Sequence, residues 1–311
     1  MKAIVMHSYG GPDHLELADV PEPKVGPDTV LVRTRAAGVN PVDWKIGAGH
    51  LDAMLNVYFP FTPGWDLAGE VVATGPGVTE FAPGDEVFGY VRQDYVQHGT
   101  YAELAAAPVR TLARKPASLD WRQAAALPLA GLTAYQSLRE AGAPGKGETV
   151  LVHAAAGGVG TFAVQIAVAA GARVIGTAGE RNHDFLRSLG AEPVTYGDGL
   201  TDRIRALAPD GVDAAVDFVG GDAVAVSRAV LAPGSAARLV SVVDGAGVTA
   251  AGGRYLWVRP DATDLAALGD LADQGKLTVP IERAVPLERT AEAWELSASG
   301  HVRGKIVLTV S

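Results

Sequence analysis

Residues 1 to about 120 consist of short apolar stretches separated by proline and glycine, a pattern that predicts β-strands joined by loops. The stretches are KAIVMH, TVLVRTRAAGV, LAGEVVATG, DEVFGY and YAELAAA. Eight prolines from Pro21 to Pro83 disfavour long helices and central sheet positions, because proline lacks the amide N–H that both require. The first part of the chain is therefore expected to form a barrel-like β domain with long loops.

The pattern changes near residue 119, where apolar residues take up helical spacing on both sides of Pro128. Apolar strands are then predicted over residues 149–153, 173–177, 214–218 and 238–243, with helices over 158–170, 183–189 and 223–231. Apolar strands joined by crossover helices indicate a doubly wound parallel sheet that is buried on both faces. A helix over 264–274 and a strand over 304–310 follow, and this short tail is expected to return to the N-terminal domain.

Composition narrows the possible functions. The chain has 311 residues, with 26 Lys and Arg against 35 Asp and Glu and a net charge of −9, so it lacks the basic field that binds nucleic acid or anionic membranes. It has no cysteine, which excludes disulfides, thiolate nucleophiles and zinc sites built on sulfur. No signal-peptide pattern and no apolar run of about 20 residues is present. A cytoplasmic protein is expected.

The stretch TVLVHAAAGGVG at 149–160 is the most informative part of the sequence. It matches the dinucleotide-binding fingerprint, with Ala155 at the first glycine position, followed by Gly157 and Gly160. Small residues there let the backbone approach a pyrophosphate, and the amides at the start of the helix bind the anion. We predict cofactor contacts from Ala156, Gly157, Gly158, Val159 and Gly160; the alternative is a tight turn without a ligand.

The next strand ends in TAGER at 177–181 and lacks the acidic residue that binds a ribose 2′-hydroxyl at this point in NAD-specific proteins. Thr177 and Arg181 are instead predicted to contact a 2′-phosphate, because a hydroxyl and a guanidinium suit that group, and Ala178 between them is predicted to contact the cofactor. NADPH is therefore the predicted cofactor. Glu180 is discordant, since it would favour NADH unless it is a solvent-facing charge, and Arg181 has a similar alternative as a surface residue.

Several further stretches resemble the zinc-free quinone oxidoreductase branch of the medium-chain dehydrogenase/reductase superfamily. They are AGVNPVDWK at 37–45, PGWDLAGEV at 63–71, GLTAY at 131–135, HAAAGGVG at 153–160, DFVGG at 217–221 and GHVRGK at 300–305. The resemblance implies an α/β protein, with a Rossmann doubly wound parallel sheet plus a GroES-like β-barrel domain and a cleft between them. The implied domains are 1–122 (GroES-like), 123–256 (Rossmann) and 257–311 (the returning tail).

The resemblance also implies further cofactor contacts and an assembly. The contacts are Thr133, Tyr196, Val219, Ser241, Val242, Arg303, Gly304 and Lys305. Tyr196 is expected near the adenosine phosphate, where a phenol can donate a hydrogen bond. A homodimer is expected, with the segment 237–246 contributing an edge of the sheet.

Zinc-dependent relatives carry a Cys near positions 38–43 and a Gly-His-Glu string, where this chain reads VNP at 39–41 and GWD at 64–66. Without those ligands no metal is expected. An oxygen-rich site built from Asp43, Asp66 and His50 lacks the spacing of a ligand motif. His153, inside the first Rossmann strand, is expected to be a packed, hydrogen-bonded residue.

The predicted reaction is hydride transfer from NADPH to a small-molecule quinone or to the β-carbon of an α,β-unsaturated carbonyl compound. Asn40, Lys45 and Tyr58 are the candidate catalytic donors to the oxygen that gains negative charge. Asn40 has an alternative role in an Asx-type turn before Pro41, and Asp43 with Lys45 can form a surface pair.

Two other functions fit the same features. One is a reductase of enoyl thioesters or polyketide intermediates, which needs a basic rim for the carrier that the sequence does not show. The other is an NADPH-binding protein with little turnover.

Overall fold

The computed structural model describes residues 1–310. These form two compact units. The first unit comprises Met1–Leu132, Pro260–Gly275 and the chain from Val279 onward, and the second comprises Thr133–Arg259 and Lys276–Thr278. The chain therefore passes from the first unit to the second after residue 132, whereas the boundary was predicted after residue 122.

The strands and helices are numbered in chain order. The strands are β1 (Lys2–Val5), β2 (Glu16–Asp19), β3 (Thr29–Val39), β4 (Asn56–Thr62), β5 (Asp66–Thr74), β6 (Glu86–Tyr90), β7 (Tyr95–His98), β8 (Leu104–Pro108), β9 (Leu112–Arg114), β10 (Thr149–Val152), β11 (Arg173–Thr177), β12 (Ala191–Val194), β13 (Ala214–Asp217), β14 (Leu239–Ser241), β15 (Arg254–Tyr255), β16 (Ile281–Pro286) and β17 (Lys305–Thr309). The helices are α1 (Pro41–Gly47), α2 (Trp121–Ala126), α3 (Pro128–Glu140), α4 (Gly158–Ala169), α5 (His183–Ser188), α6 (Leu200–Leu207), α7 (Ala223–Val230), α8 (Gly245–Ala250), α9 (Ala262–Asp273) and α10 (Thr290–Ala298).

The first unit is built on a seven-stranded sheet with β3 at its centre. The strand order is β16-β17-β3-β5-β6-β9, and β8 also pairs with β3. All of these pairings are antiparallel except β16 with β17. The apolar side chains of β3 and β5, including Val30, Val32, Leu67 and Val71, form the core beneath the sheet. The last strand of the chain thus completes a sheet that begins at residue 29.

Helix α1 lies in the proline-rich part of the chain, where no helix was predicted. It begins at Pro41 and has seven residues. Proline is well tolerated at the first position of a helix, because that residue's N–H has no partner within the helix and its fixed φ angle is already helical. The helix presents Asp43, Ile46 and Gly47 to the interior.

The second unit is a six-stranded sheet in which every pairing is parallel. Its order is β12-β11-β10-β13-β14-β15, which is the order of a dinucleotide-binding Rossmann fold. The strand order reverses between β10 and β13, and ligands of such sheets bind at the carboxyl ends of the strands at this point. The predicted fold class is confirmed.

The core of the second unit takes one apolar residue from each of the central strands. Leu151, Ile175, Ala215 and Leu239 are all fully buried. His153 follows β10, is 2% exposed, and its Nε2 lies 2.9 Å from Ser227 Oγ. Its pKa is lowered to about 4 by burial, so it is a packed neutral residue, as predicted.

The segment 237–246 does not supply an edge of the sheet. Its strand β14 pairs with β13 on one side and with β15 on the other, so its backbone groups are already used within the chain. The outer edge belongs to β15, and dimerisation stays a prediction. No helix among residues 1–310 combines the length and apolar character that a membrane crossing requires.

Candidate functional site

The turn between β10 and α4 is held in shape by backbone hydrogen bonds and by Thr177. Ala154 adopts a left-handed conformation, with φ of +53°. The Ala154 N–H donates to Thr177 Oγ1 at 3.0 Å, and the Ala155 N–H donates to Thr177 O at 2.9 Å. Thr177 is 2% exposed. Its hydroxyl therefore positions the turn, whereas a 2′-phosphate contact had been predicted for it.

The first turn of α4 begins at Gly157, whose backbone is extended and which places no side chain over the helix end. Gly157, Gly158 and Val159 are all partly exposed. The N–H groups in the first turn of a helix have no acceptor within the helix, and together with the helix dipole they favour an anion. The turn therefore has the geometry expected of a phosphate-binding site.

A small residue is needed at positions 160 and 157 for different reasons. A Cβ atom on Gly160 would lie 2.2 Å from Ala154 O, so glycine is required there for the helix to pack on the turn. A Cβ atom on Gly157 would meet only Ala154 O, at 3.3 Å, and the φ angle of −78° suits any residue. Packing within the chain therefore requires glycine at position 160, whereas at position 157 an added atom makes one tight contact and close approach of a ligand is a further reason for a small residue.

The predicted nucleotide contacts differ in exposure. Those exposed or partly exposed are Gly157, Gly158, Val159, Arg181, Tyr196, Val219, Val242 and Arg303. Those buried are Thr133, Ala156, Gly160, Thr177, Ala178, Ser241, Gly304 and Lys305.

Arg181 lies in the loop that follows β11, and Tyr196 lies in the loop that follows β12. Arg181 is exposed in a 3₁₀ turn over Glu180–Asn182. Tyr196 is 64% exposed, and a Cβ atom on Gly179 would lie 3.7 Å from its hydroxyl. The guanidinium of Arg203 holds the loop of Tyr196 by donating to Thr195 O at 2.8 and 3.1 Å. The structure thus gathers the two residues predicted for the 2′-phosphate beside Gly179.

Two buried polar residues shape the carboxyl ends of β13 and β14. Ser241 Oγ donates to Asp217 Oδ2 at 2.7 Å, and Asp217 Oδ1 accepts the N–H groups of Val219 and Gly220 at 2.9 Å each. The Ser241 side chain is therefore used inside the protein, in contrast to the predicted cofactor contact. Val219 and Val243 stand 57% and 50% exposed after these strands, which leaves apolar surface at the ligand-binding edge of the sheet.

In the first unit, the strand registers bring three polar residues to one end of the sheet. Ile306 lies opposite Val39 in the pairing of β17 with β3, and Gly38 lies opposite Asp66 in the pairing of β3 with β5. The start of β17, the end of β3 and the start of β5 are therefore adjacent. Lys305, Asn40 and Asp66 meet there.

These three residues, with Asp43 and Tyr101, form what we call the buried polar cluster. Lys305 Nζ donates to Asn40 Oδ1 at 2.5 Å and to Val39 O at 2.9 Å. Asn40 Nδ2 donates to Asp66 Oδ2 at 2.9 Å. The Asn40 N–H and the Tyr101 hydroxyl both donate to Asp43 Oδ2, at 2.8 and 2.7 Å.

Gly64 makes room for Tyr101 in this cluster. Its φ angle is +91°, and a Cβ atom on it would lie 2.2 Å from Tyr101 Cδ1. Any other residue would displace the ring whose hydroxyl reaches Asp43. The glycine that precedes Trp65 in the GWD string thus has a local steric role.

Burial determines the acidity of the cluster. Desolvation raises the pKa of Asp43 to about 6 and that of Asp66 to about 7, and it lowers the pKa of Lys305. The Lys305 ammonium opposes the rise at both carboxyls, and hydrogen bonds to each carboxyl act in the same direction. The single ammonium of Lys305 therefore stabilises the charged form of both buried carboxyl groups.

Several predictions for this region need correction. Lys305 was predicted to contact the cofactor, but the residue is 4% exposed and its ammonium is bonded to Asn40 and Val39. Asp43 is buried and does not form a surface pair with Lys45, which is exposed. The side chain of Asn40 bonds to Asp66 and Lys305, and Asn40 is also the residue that caps the start of α1 before Pro41.

The three candidate catalytic residues lie in different surroundings. Asn40 is 1% exposed within the cluster, whereas Tyr58 is 52% exposed on β4 with its ring centroid 6.0 Å from that of Tyr95. The Lys45 ammonium lies 5.5 Å from the centroid of the Trp44 ring. A direct role toward a substrate stays a prediction for each of them.

Comparison with known proteins identifies the family. A model described as "Alcohol dehydrogenase GroES-like domain" matches residues 26–117, and one described as "Zinc-binding dehydrogenase" matches residues 189–308. A chloroplast envelope quinone oxidoreductase homolog of Arabidopsis thaliana is 36% identical, over 99% of this chain and 98% of the relative. The chain belongs to the quinone oxidoreductase branch of the medium-chain dehydrogenase/reductase superfamily.

Two further members bear on activity and structure. The NADPH-dependent alkenal/one oxidoreductase of Arabidopsis thaliana is 34% identical over 99% of this chain and 79% of that protein. The quinone oxidoreductase structure from Coxiella burnetii has a TM-score of 0.88 and 36% identity, covering 100% of this chain and 99% of that one. The predicted family is confirmed, and the chain is an oxidoreductase with a nicotinamide cofactor.

We predict that Gly160→Ala and Gly157→Ala separate folding from nucleotide binding. The added methyl group in Gly160→Ala overlaps Ala154 O and should lower the free energy of unfolding by about 1–3 kcal/mol. Gly157→Ala should leave the thermal unfolding midpoint nearly unchanged but weaken NADPH binding, measured by the fluorescence of the bound nucleotide. Full nucleotide affinity in Gly157→Ala would contradict the assignment of the turn.

We predict that Lys305→Met destabilises the protein by about 3–5 kcal/mol at neutral pH, because it leaves two buried carboxyl groups without their ammonium. Both carboxyls have folded pKa values above their unfolded value of 3.8, so their contribution to stability is present at low pH and is lost as pH rises through the folded pKa. The loss should therefore be larger at about pH 8 than at about pH 5 in urea denaturation. Lys45→Met, at an exposed lysine, is the control, and an equal effect of the two variants would refute the prediction.

Proposed function

We propose that the protein transfers a hydride from NADPH to a quinone or to the β-carbon of an α,β-unsaturated carbonyl compound, without a metal ion. The observation that carries the proposal is the β10–α4 turn, with its uncovered helix start at the point where the strand order reverses. The names of the relatives, quinone oxidoreductase and alkenal/one oxidoreductase, support the acceptor class.

The choice of NADPH rests on the loops after β11 and β12. Arg181 and Tyr196 are both exposed there and stand close to Gly179. A guanidinium can bind a phosphate with two parallel hydrogen bonds, and a phenol can add a third donor. Glu180 is the only acidic residue in the 3₁₀ turn and is exposed, so its charge is screened by solvent.

The residues present do not fit a catalytic zinc ion. The chain has no cysteine, and residues 1–310 contain no group of three or more His, Asp or Glu side chains placed to hold a metal. Asn40 and Trp65 stand in the strings where zinc-dependent relatives carry ligands, and the Asn40 amide already binds the ammonium of Lys305. A cation beside that ammonium would be repelled.

The role of the chain's own residues is to bind and orient the nucleotide. When bound, the reduced nicotinamide supplies the hydride. The α4 amides hold the pyrophosphate, Thr177 fixes the turn that carries them, and Val219 and Val243 offer an apolar surface at the sheet edge. Addition of a hydride to an enone or quinone leaves negative charge on oxygen, which requires a hydrogen-bond donor or a proton.

The proposal is tested by stopped-flow measurement of NADPH oxidation against benzoquinones, naphthoquinones, alkenals and enoyl thioesters, with and without a chelator. We expect rapid oxidation with quinones or alkenals that the chelator does not change. Oxidation by thioesters alone would favour the carrier-linked reductase. Binding of NADPH without oxidation by any acceptor would show a nucleotide-binding protein with little turnover, and loss of activity with the chelator would contradict a metal-free reaction.

We predict that Arg181→Ala weakens NADPH binding by about tenfold to a hundredfold, the value of one or two charge-assisted hydrogen bonds. NADH binding should change less than twofold, because NADH lacks the 2′-phosphate. Dissociation constants from isothermal titration with both nucleotides measure this difference. Arg187→Ala, at an exposed arginine of α5 paired with Asp184, is the matched control. Equal losses for the two nucleotides would contradict the role of Arg181.

A further inference from the structure

One arginine of α6 holds the loop that carries Tyr196. The Arg203 guanidinium donates hydrogen bonds to the carbonyl groups of several residues in this loop. Its Nε and Nη2 donate to Thr195 O at 3.1 and 2.8 Å, its Nη1 donates to Asp198 O at 2.7 Å, and its Nη2 also donates to Gly197 O at 3.2 Å. These carbonyl groups lie before and after Tyr196 in the chain. The guanidinium therefore fixes the backbone on both sides of the tyrosine.

The loop needs such support because it is exposed and rich in glycine. Residues 196 to 199 are all exposed, and Gly197 and Gly199 adopt left-handed conformations with φ angles of +93° and +74°. Glycine loses more conformational freedom on ordering than any other residue. The backbone adds a hydrogen bond from the Leu200 N–H to Gly197 O at 3.0 Å. The bonds from Arg203 thus make up much of what keeps the loop in one conformation.

The position of the Tyr196 phenol depends on the shape of this loop. The side chain is 64% exposed, so packing against the protein does little to hold it. A Cβ atom on Gly179 would lie 3.7 Å from its hydroxyl, and Thr195 Oγ1 lies 3.4 Å from His183 Nε2 in α5. The loop after β12 therefore lies against the segment that carries Arg181.

We propose that Arg203 is a positioning residue that determines the preference for NADPH over NADH without touching the nucleotide. The inference rests on the proposed function, which assigns the 2′-phosphate to Arg181 and Tyr196. The Arg203 guanidinium is engaged with backbone carbonyl groups, so it acts on the phosphate through the phenol that it positions. A loop that is ordered before the nucleotide arrives loses less entropy on binding, and this strengthens the contact with the phosphate.

The test compares ligands that differ only in the 2′-phosphate. Dissociation constants are measured by isothermal titration for NADPH and NADH, and for adenosine 2′,5′-bisphosphate and adenosine 5′-monophosphate. We expect Arg203→Ala to weaken binding of the two 2′-phosphorylated ligands by about tenfold, the value of one charge-assisted hydrogen bond. Binding of the other two should change less than about twofold, because they lack the group that Tyr196 contacts. Equal losses for all four ligands would overturn the proposal.

Arg205→Ala is the matched control. Arg205 lies in the same helix and is exposed, and its Nη2 donates to Ala229 O at 3.1 Å. The variant removes the same charge as Arg203→Ala but leaves the bonds to the loop of Tyr196 in place. All four dissociation constants should stay within about twofold of the wild type. A loss of NADPH affinity equal to that of Arg203→Ala would show an effect of net charge and overturn the proposal.

A double-mutant cycle with Tyr196→Phe tests whether Arg203 acts through the phenol. Tyr196→Phe should weaken NADPH binding by about tenfold, because it removes a hydrogen bond to a charged group. Adding Arg203→Ala to this variant should cost less than about another twofold, since residues that act through one contact are not additive. No loss in Tyr196→Phe, or additive losses of about a hundredfold in the double variant, would overturn the proposal.

Circular dichroism and thermal unfolding show whether each variant is folded. If Arg203→Ala does not fold, Arg203→Lys provides the comparison, because a single ammonium nitrogen does not reproduce the planar fork that spans the loop. NADPH affinity should then fall by at least about threefold, and unchanged affinity would overturn the proposal. No acceptor is needed for these measurements. A wild type that binds NADPH and NADH equally would contradict the proposed cofactor, whereas a wild-type preference that persists in Arg203→Ala would overturn only the role of Arg203.

Discussion

The first unit depends on the interactions of the Lys305 ammonium with its buried neighbours. This ammonium is the only cation within the buried polar cluster and stands against two carboxyl groups, Asp43 and Asp66. It also joins the last strand of the described chain to the end of β3, through Val39 and Asn40. A buried charge that loses its partner costs several kcal/mol, so the return of the tail to the N-terminal sheet and the neutralisation of the cluster support each other.

The cluster occupies the strings in which zinc-dependent relatives carry metal ligands. Here an amide, a buried lysine and two carboxyl groups satisfy one another by hydrogen bonds. The arrangement leaves a single oxygen, Asp43 Oδ1, without a partner. A buried carboxylate oxygen without a donor is costly, and burial accordingly raises the pKa of Asp43.

In the second unit, polar side chains hold the loops, and the backbone N–H groups at the start of α4 have no acceptor within the helix. Thr177, Ser241 and Asp217 use their side chains to hold the loops at the carboxyl ends of the strands. The exposed groups are then the amides at the start of α4 and the side chains on the neighbouring loops. Several residues predicted to touch the cofactor, among them Thr177 and Ser241, instead hold the loop backbone through hydrogen bonds within the chain.

The sequence by itself determined the elements whose signal is contiguous: β3, β11, the start of α4, and the turn between β10 and α4, because apolar periodicity and glycine spacing act over a few neighbouring residues. It did not predict β16, of whose six residues only Val285 is buried, or α10, whose buried face has only Thr290, Ala293 and Trp294. The buried polar cluster was decided by tertiary structure alone. Lys305 and Asn40 are 265 positions apart, and only the registers of three strands bring them into contact with Asp66. Whether a polar side chain binds a ligand or a buried neighbour depends on which strands pair and in which register. The sequence near that side chain does not indicate this pairing.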